Sequence, residues 1–524
     1  DAIAEKVGIV KESPFRIEAG IKYVLNKEAA NGSVYLPIDI LLSKTAELLG
    51  IVPENIENTI LSLNVTKQLW VEEDEEKGKI VFLNSFFYSE NYVAKKLIEL
   101  SLAEVSEDAD YEREIDEFEK LNDVKLAKNQ RLAVLEAMRN GVLVITGGPG
   151  TGKTTTINTI IKLLRNDGYE ISLAAPTGRA AKRMTETTGI EAQTIHRLLG
   201  VSFISDDSKR QSFDKDEDNP IEADVVIVDE SSMVDIILMQ NLLKAIPYGT
   251  RLILVGDVDQ LPSVGPGNVL KDIIASECVK VVRLNEIFRQ AEKSAIVMNA
   301  HRINKGEHPV LNEREKDFFF MKRFDTNALS DTILELVTTR LPKYLNCSKK
   351  DIQVLTPMRK SHLGTIRLNS ILQNEINPKD EYKSEKEFRK FIFREGDKVM
   401  QIKNNYDLTW TVFDGRRRKV DEGVGVFNGD EGVIEKIDNE GEYMEVVFDE
   451  TKVVKYDFTQ LDELELSYAI TIHKSQGSEY RAVIIPIHYG PEMLLNRNLI
   501  YTAVTRAKEL AVLVGVPDAL YKMI

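Results

Sequence analysis

The run Gly147-Gly148-Pro149-Gly150-Thr151-Gly152-Lys153-Thr154 follows β-branched apolar residues and leads into Thr155-Thr156-Ile157, so a strand is expected to pass through a glycine-rich turn into a helix. In that setting successive backbone N–H groups converge on phosphate oxygens, and the helix N-terminus adds partial positive charge. Gly148, Gly150, Thr151, Gly152 and Thr155 are the candidate cradle, Lys153 can reach the β and γ phosphates of a nucleotide, and the Thr154 hydroxyl can ligate Mg²⁺. Asp229-Glu230 closes the apolar run 225–228, 76 positions beyond the lysine. An acidic pair at the C-terminal edge of a parallel sheet faces the ligand crevice. Asp229 is read as a Mg²⁺ ligand through water, and Glu230 as the group that orients and deprotonates an attacking water. Gln260, in Leu254-Val255-Gly256-Asp257-Val258-Asp259-Gln260, is expected near the γ-phosphate, although an ordinary turn amide accounts for it equally well when it stands alone.

The C-terminal half has no second phosphate loop but carries two arginines in suggestive settings. They are Arg289, in Leu284-Asn285-Glu286-Ile287-Phe288-Arg289-Gln290, and Arg506, in Tyr501-Thr502-Ala503-Val504-Thr505-Arg506-Ala507-Lys508. A lone arginine in a helix is usually a surface charge. If both instead point across a cleft, they stabilise the transferring γ-phosphoryl and sense its presence, and ATP then closes two lobes that hydrolysis releases. The polar loop 467–479 offers hydroxyls, amides and His473 to a phosphate track, while Gly477 and Glu479 approach the nucleotide. For His473, catalytic and structural roles are equally compatible with the composition.

These groups need a scaffold, and the hydrophobic pattern supplies one. From about residue 120, β-branched runs alternate with helix-length amphipathic segments, the pattern of buried parallel strands in an α/β fold. Strands are expected over 142–146, 171–175, 225–228 and 252–255, with a second set over 279–284, 352–355, 482–486 and 510–514, giving two α/β lobes. Short runs over 398–402, 431–437, 443–448 and 452–458, separated by turn residues, read as a small all-β insertion. Residues 16–30, 37–49 and 53–68 read as helices followed by a β-wing at 69–71 and 79–83, an order that resembles a winged helix; a small helical domain that merely packs on its neighbour fits as well. The charged segment 104–119 reads as a solvated helix or linker, and 205–219 as a hairpin or loop interrupting the first lobe.

At 524 residues the chain is long enough for three or four domains at about 150 residues each. With 43% hydrophobic and 29% charged residues, wholesale disorder, collagen-like structure and a disulfide scaffold are excluded. No run approaches the roughly 18 to 20 apolar residues of a membrane span, the N-terminus lacks a signal-peptide plan, and the reading is a cytoplasmic protein with no membrane partner. Cys278 and Cys347 share no metal-binding spacing and read as two buried thiols. A formal charge of −16 argues against holding nucleic acid by bulk positive charge, yet it allows a local basic groove. The start at Asp1 is expected to mark a trimmed chain or part of something longer.

The order of these motifs resembles the superfamily 1 helicases of the B subgroup, most closely the RecD-like DNA helicases that work without RecB and RecC partners. The resemblance covers about 120–520. It rests on Gln130 in Ala127-Lys128-Asn129-Gln130, the phosphate loop, Ala174-Ala175-Pro176-Thr177-Gly178-Arg179-Ala180-Ala181, Thr194-Ile195-His196-Arg197-Leu198-Leu199, Asp229-Glu230, Gly256-Asp257-Val258-Asp259-Gln260-Leu261-Pro262, and the segments with Arg289, Thr471 to Glu479 and Arg506. It implies an N-terminal domain at 1–110, a RecA-like lobe 1A at 111–285 with a strand-separating pin near 203–219, a RecA-like lobe 2A at 286–389 and 465–524, and an SH3-like 2B insertion at 390–464. It also implies ATP and Mg²⁺, translocation on single-stranded DNA with 5′ to 3′ polarity, and action at junctions of single- and double-stranded DNA in repair or recombination. Gln130 takes the place of the adenine-reading glutamine, and Pro176, Thr177, Arg179, His196, Thr356, Asn428, Thr471 and His473 match positions near the DNA track. The pin is unusually acidic and offers no aromatic wedge beyond Phe213, while Arg416-Arg417-Arg418-Lys419 is read as a solvated turn in preference to a DNA contact. The pattern names no protein partner, and a monomer suffices for such a motor. An RNA helicase, a translocase that does not unwind, and an ATP-switched binding module for DNA repair are the competing readings.

Overall fold

A computed structural model of the chain describes residues 8, 10–103, 111–203, 211–312, 316–416 and 418–524. Among them lie two parallel sheets of six and five strands and an antiparallel sheet of seven.

The first sheet runs Lys280–Leu284, Val142–Gly147, Arg251–Gly256, Val225–Val228, Ile171–Ala175, Ala192–Thr194, every neighbouring pair parallel. Side chains alternate faces along a strand, and both faces are covered: Val142 and Val144 enter one core with Leu252 and Leu254, whereas Leu143 and Ile145 enter the opposite core with Ile253 and Val255. This two-sided burial explains the near-continuous apolar runs. It also corrects one expectation, because Lys280–Leu284 pairs with the phosphate-loop strand at the edge of this sheet and belongs to the first set, not the second. A buried parallel run does not encode which neighbour it joins.

The second sheet runs Phe318–Lys322, Ala507–Gly515, Tyr480–Ile487, Ile352–Thr356, Ala469–Thr471, again parallel. The same alternation splits Val354, Ile484 and Val512 from Leu355, Val483 and Leu513. The antiparallel sheet is inserted between strands of this lobe, and Phe393, Ile434, Met444 and Tyr456 share a core with Val354 and Ile484. The insertion is therefore welded to the second lobe. Its strands reach from Glu385–Phe388 to Leu464–Leu466, and its outer edge is the long hairpin Asn405–Phe413 and Lys419–Val426, which the short-run pattern missed. The basic run sits at that hairpin's turn, where Asp414 accepts the N–H groups of Arg416 and Arg418 and pairs with the Arg418 guanidinium at 2.9 Å; Arg417 lies outside the described residues.

The N-terminal region orders as Pro14–Ala29, Tyr35–Pro37, Ile38–Leu49, Pro53–Val65, Leu69–Asp74 and Gly78–Leu83, helix and strand succeeding one another as in a winged helix. Ile17, Ile21, Val24 and Leu25 repeat at helical spacing and close a separate small core with Leu41, Ile56 and Ile60. The helix Asn84–Ser101 then joins the first lobe through Val93, Leu97 and Leu100. Tyr111–Asn122 is helical, but Tyr111 and Ile115, one turn apart, are buried in the lobe, so this part of the charged segment is anchored rather than solvated. In the expected pin, Val201–Phe203 pairs with Gln211–Phe213, and 204–210 lie outside the described residues. Phe213 packs back against the first lobe's core, its ring 6.0 Å from that of His196, which removes it as a wedge. No described helix is long and apolar enough to cross a membrane.

Candidate nucleotide site and nucleic-acid groove

The phosphate loop lies where the strand Val142–Gly147 ends and the helix Lys153–Asn166 begins. Gly150 and Gly152 take φ of +73° and +77°, the left-handed region that only glycine enters freely, and Gly152 gives the helix an N-cap without a side chain. A Cβ on Gly148 would meet the Tyr501 hydroxyl at 2.9 Å, and one on Gly150 would meet Ala291 at 2.8 Å, so the glycines are needed where the second lobe's segments close over the loop. Lys153 Nζ donates to the Gly147 and Gly148 carbonyls at 2.5 and 3.2 Å, and the Thr151 hydroxyl donates to Gly148 O at 2.9 Å. Thr154 and Thr155 are exposed at the helix start. Gln130, 1% exposed, caps its own helix through Oε1 and donates through Nε2 to Gly152 O at 3.2 Å, which places it against the loop.

Across the sheet edge, Asp229 Oδ1 accepts the Glu230 N–H at 2.8 Å, and Glu230 sits at φ +52°, a conformation that costs a non-glycine residue energy and clusters at functional sites. Burial and the neighbouring Glu230 push the Asp229 carboxyl up. Burial also pushes Glu230 up, but Arg183, Arg506 and Lys153 together outweigh it and hold that carboxyl below its usual range. The two acids are thus driven apart, and Glu230 is the more readily ionised of the pair.

The seam between the lobes is dense with hydrogen bonds. Arg506, 3% exposed, donates from Nη2 to Gln260 Oε1 at 2.8 Å in the opposite lobe, while its Nη1 and Nε donate to the Ser478 and Thr502 carbonyls of its own lobe at 3.1 and 3.3 Å. Gln260 Nε2 and the Tyr501 hydroxyl both donate to Asp257 Oδ2, at 3.1 and 2.7 Å. The Thr502 hydroxyl accepts the Leu261 N–H at 2.9 Å, and Gln476 donates to Leu261 O at 2.8 Å. Tyr501, Thr502 and Gln476 stand inside motifs already quoted, yet only the tertiary contact singles them out. Arg289 opens the short helix Arg289–Glu292; its side chain lies outside the described part. Glu479 does not stand alone: it accepts from Arg183 at 2.7 Å and pairs with Lys508 at 3.4 Å, and Gly477 packs against Thr177 of the first lobe.

A groove of about 430 Å³ opens between the first lobe, the insertion and the 471–478 loop. Pro176, Thr177, Arg179, His196, Asn428, Thr471 and His473 all line it. Thr356 does not: it is fully buried and its hydroxyl donates to Leu363 O at 2.6 Å, so it fixes the loop after its strand. Arg179 reaches the groove with its charge already engaged, paired with Glu431 at 3.0 Å and bonded to the Tyr480 hydroxyl at 3.1 Å. Tyr406 and Phe427, ring centroids 5.5 Å apart, add aromatic faces beside His196 that the sequence did not reveal, because Tyr406 lies on the unexpected hairpin. Burial lowers both His196 and His473, so these rings meet a ligand as neutral groups.

Comparison with known families matches 130–266 to an AAA domain, 368–448 to the ATP-dependent RecD-like DNA helicase SH3 domain, 466–514 to the UvrD-like helicase C-terminal domain, and 1–35 to the ATP-dependent RecD2 DNA helicase HHH domain. The chain is 31% identical over 427 residues to the RecBCD enzyme subunit RecD of Mycobacterium tuberculosis, across 74% of this chain and 68% of the relative. The chain belongs to the RecD-like helicase family. Among RecD relatives, the ATP-dependent RecD2 DNA helicase of Deinococcus radiodurans is 36% identical over 384 residues, 73% of this chain; the chain spans about half the length of that relative, the match covering 48% of it. The Pif1 helicase from Bacteroides in complex with ADP-AlF3 and ssDNA aligns over 76% of this RecD-like chain and 94% of that structure, at 19% identity and a TM-score of 0.44.

Proposed function

We propose that this chain is the motor of an ATP-dependent DNA helicase that translocates 5′ to 3′ on single-stranded DNA and acts at junctions of single- and double-stranded DNA. The observation that carries the reading is Arg506 reaching from one lobe to Gln260 of the other, beside the phosphate loop and Glu230. A nucleotide at the glycine-rich turn is then held between acids of one lobe and a cation of the other, and its presence or loss changes how the lobes meet. Family membership supports the activity, and the seven candidate residues converging on one groove support the substrate.

In this reading Lys153 and the first-turn N–H groups bind the β and γ phosphates, and Gln130 stands where a base edge would lie. Glu230, the more readily ionised of the two acids, orients water for attack on the γ-phosphorus and accepts its proton on a carboxylate oxygen. Gln260 and Arg506 stabilise the charge that gathers on the phosphoryl oxygens. The site also fits Mg²⁺: the Thr154 hydroxyl is exposed at the head of the helix, Asp229 lies at the facing strand end, and among the described residues no group of three metal-ligating side chains gathers. Such a donor set suits Mg²⁺, which takes most of its ligands from phosphates and water. When bound, the ion neutralises phosphate charge.

Strand displacement on duplexes with a 5′ or a 3′ tail tests the proposal. Unwinding from the 5′ tail is expected, and unwinding only from the 3′ tail overturns the polarity. RNA stimulating turnover as well as single-stranded DNA would instead favour an RNA substrate. A cytoplasmic role in repair or recombination accompanies the proposal, and a deletion strain with unchanged survival of DNA damage would remove it.

A further inference from the structure

The carboxylate assigned to water activation is gripped from a side that the motif pattern leaves out. Arg183, on the eleven-residue helix Gly178–Thr188, donates from Nη2 to Glu230 Oε1 at 3.1 Å and from Nη1 to Glu479 Oε1 at 2.7 Å. The first acceptor belongs to the first lobe, and the second to the loop entering Tyr480–Ile487 of the second lobe. A guanidinium is a flat, rigid fork, so it fixes the spacing of the two carboxylates it holds. The Glu230 backbone is pinned by the sheet edge and its strained turn, leaving its side chain as the adjustable part.

The same helix face carries two more bridges at helical spacing. Arg179 meets Glu431 and Tyr480, and Lys182 meets Asp449 of the insertion at 2.8 Å. The helix N-cap, Thr177, and Arg179 line the groove. One short rod therefore touches the groove at its start and the hydrolytic carboxylate one turn later.

Building on the motor reading, we propose that Arg183 is a positioning residue that couples the aim of Glu230 to the spacing of the two lobes, so that DNA entering the groove is felt at the site of hydrolysis. The groups facing Glu230 are Asp229 from its own turn, Lys153 from the phosphate-loop helix, Arg506 across the seam and Arg183 itself, with Lys508 behind Glu479.

The test compares ATP turnover of the full chain and of its Arg183→Ala and Arg183→Lys variants with and without poly(dT). Arg183→Ala is expected to lower DNA stimulation about tenfold, within the range of measured coupling energies, with KM for ATP little changed. Arg183→Lys keeps a charge without the fork: it should lose a similar share of DNA stimulation. This variant remains readable if the alanine chain does not fold. Parental DNA stimulation in Arg183→Lys, or in a folded Arg183→Ala, overturns the inference. Should the parent itself fail to turn over ATP, the motor reading falls first and takes the inference with it.

Discussion

Replacing Arg506 by alanine is the sharpest test of the seam. The side chain is buried and makes four hydrogen bonds, one of them to Gln260 in the opposite lobe. Its loss leaves the Gln260 amide oxygen without that donor, at a cost of about 1–3 kcal/mol, and removes a cation assigned to the developing phosphoryl charge. Arginines in this role contribute about 10³- to 10⁵-fold in turnover, or about 4–7 kcal/mol at 1.36 kcal/mol per decade. The expected result is a fall in DNA-stimulated kcat of about three decades or more, with single-stranded DNA affinity retained, because Arg506 lies off the groove. Arg506→Lys should recover only part of the rate, since an ammonium cannot serve four acceptors arranged for a fork. Steady-state ATPase at saturating ATP and DNA, paired with fluorescence anisotropy on labelled oligo(dT), reads both quantities. Turnover within about threefold of the parent would refute the assignment of Arg506 to the transferring phosphate.

Four further outcomes follow from the geometry. Lys153→Ala should abolish turnover while leaving oligo(dT) binding intact, and an active variant would show that the glycine-rich loop is not the fuel site. Tyr406→Ala removes an aromatic face from the groove and should weaken oligo(dT) binding by about 1–3 kcal/mol, with little change in DNA-free ATPase; equal affinity by anisotropy would remove Tyr406 from the track. Arg179→Ala breaks the pair with Glu431, which keeps Lys398 at 3.0 Å, so thermal melting should report a loss of about 1–3 kcal/mol rather than collapse. Burial pushes Asp430 up to about 6, so the folded chain holds a proton that the unfolded chain releases, and the stability this group contributes is lost as pH rises from about 4 through 6. Asp430→Asn, which keeps an oxygen for the Phe427 N–H, should therefore melt higher than the parent above pH 6 and lose that advantage near pH 4; a pH-independent difference would contradict the sign.

Local sequence carries what local physics decides. The glycine-rich loop, the acidic strand end and the two-sided strands were legible because each is set by backbone freedom or by burial of consecutive residues. Pairing was less so: Lys280–Leu284 has the composition of any buried strand, and its place beside Val142–Gly147 depends on a crossover that no residue in it announces. Phe318–Lys322 escaped because five residues, only some of them fully buried, give little period to count. The hairpin Asn405–Phe413 and Lys419–Val426 fully buries only Leu408 and Val426, so no regular buried alternation marked two of the longer strands, and Tyr406 escaped with them. Thr356 was misplaced because a hydroxyl at a strand end can face a ligand or its own loop, and only the bond to Leu363 decides. Arg183 escaped for the opposite reason: a cation in an ordinary helix reads as solvated until two carboxylates distant in sequence are seen to share it.

Three of the four acceptors of Arg506, the Thr502 and Ser478 carbonyls and the Thr505 hydroxyl, belong to its own lobe. When the lobes part, the guanidinium need surrender only its bond to Gln260 and stays fastened at its base, so it has no rotamers to search on return. In the motor proposed above, engagement then waits on the approach of the lobes and not on the settling of a side chain.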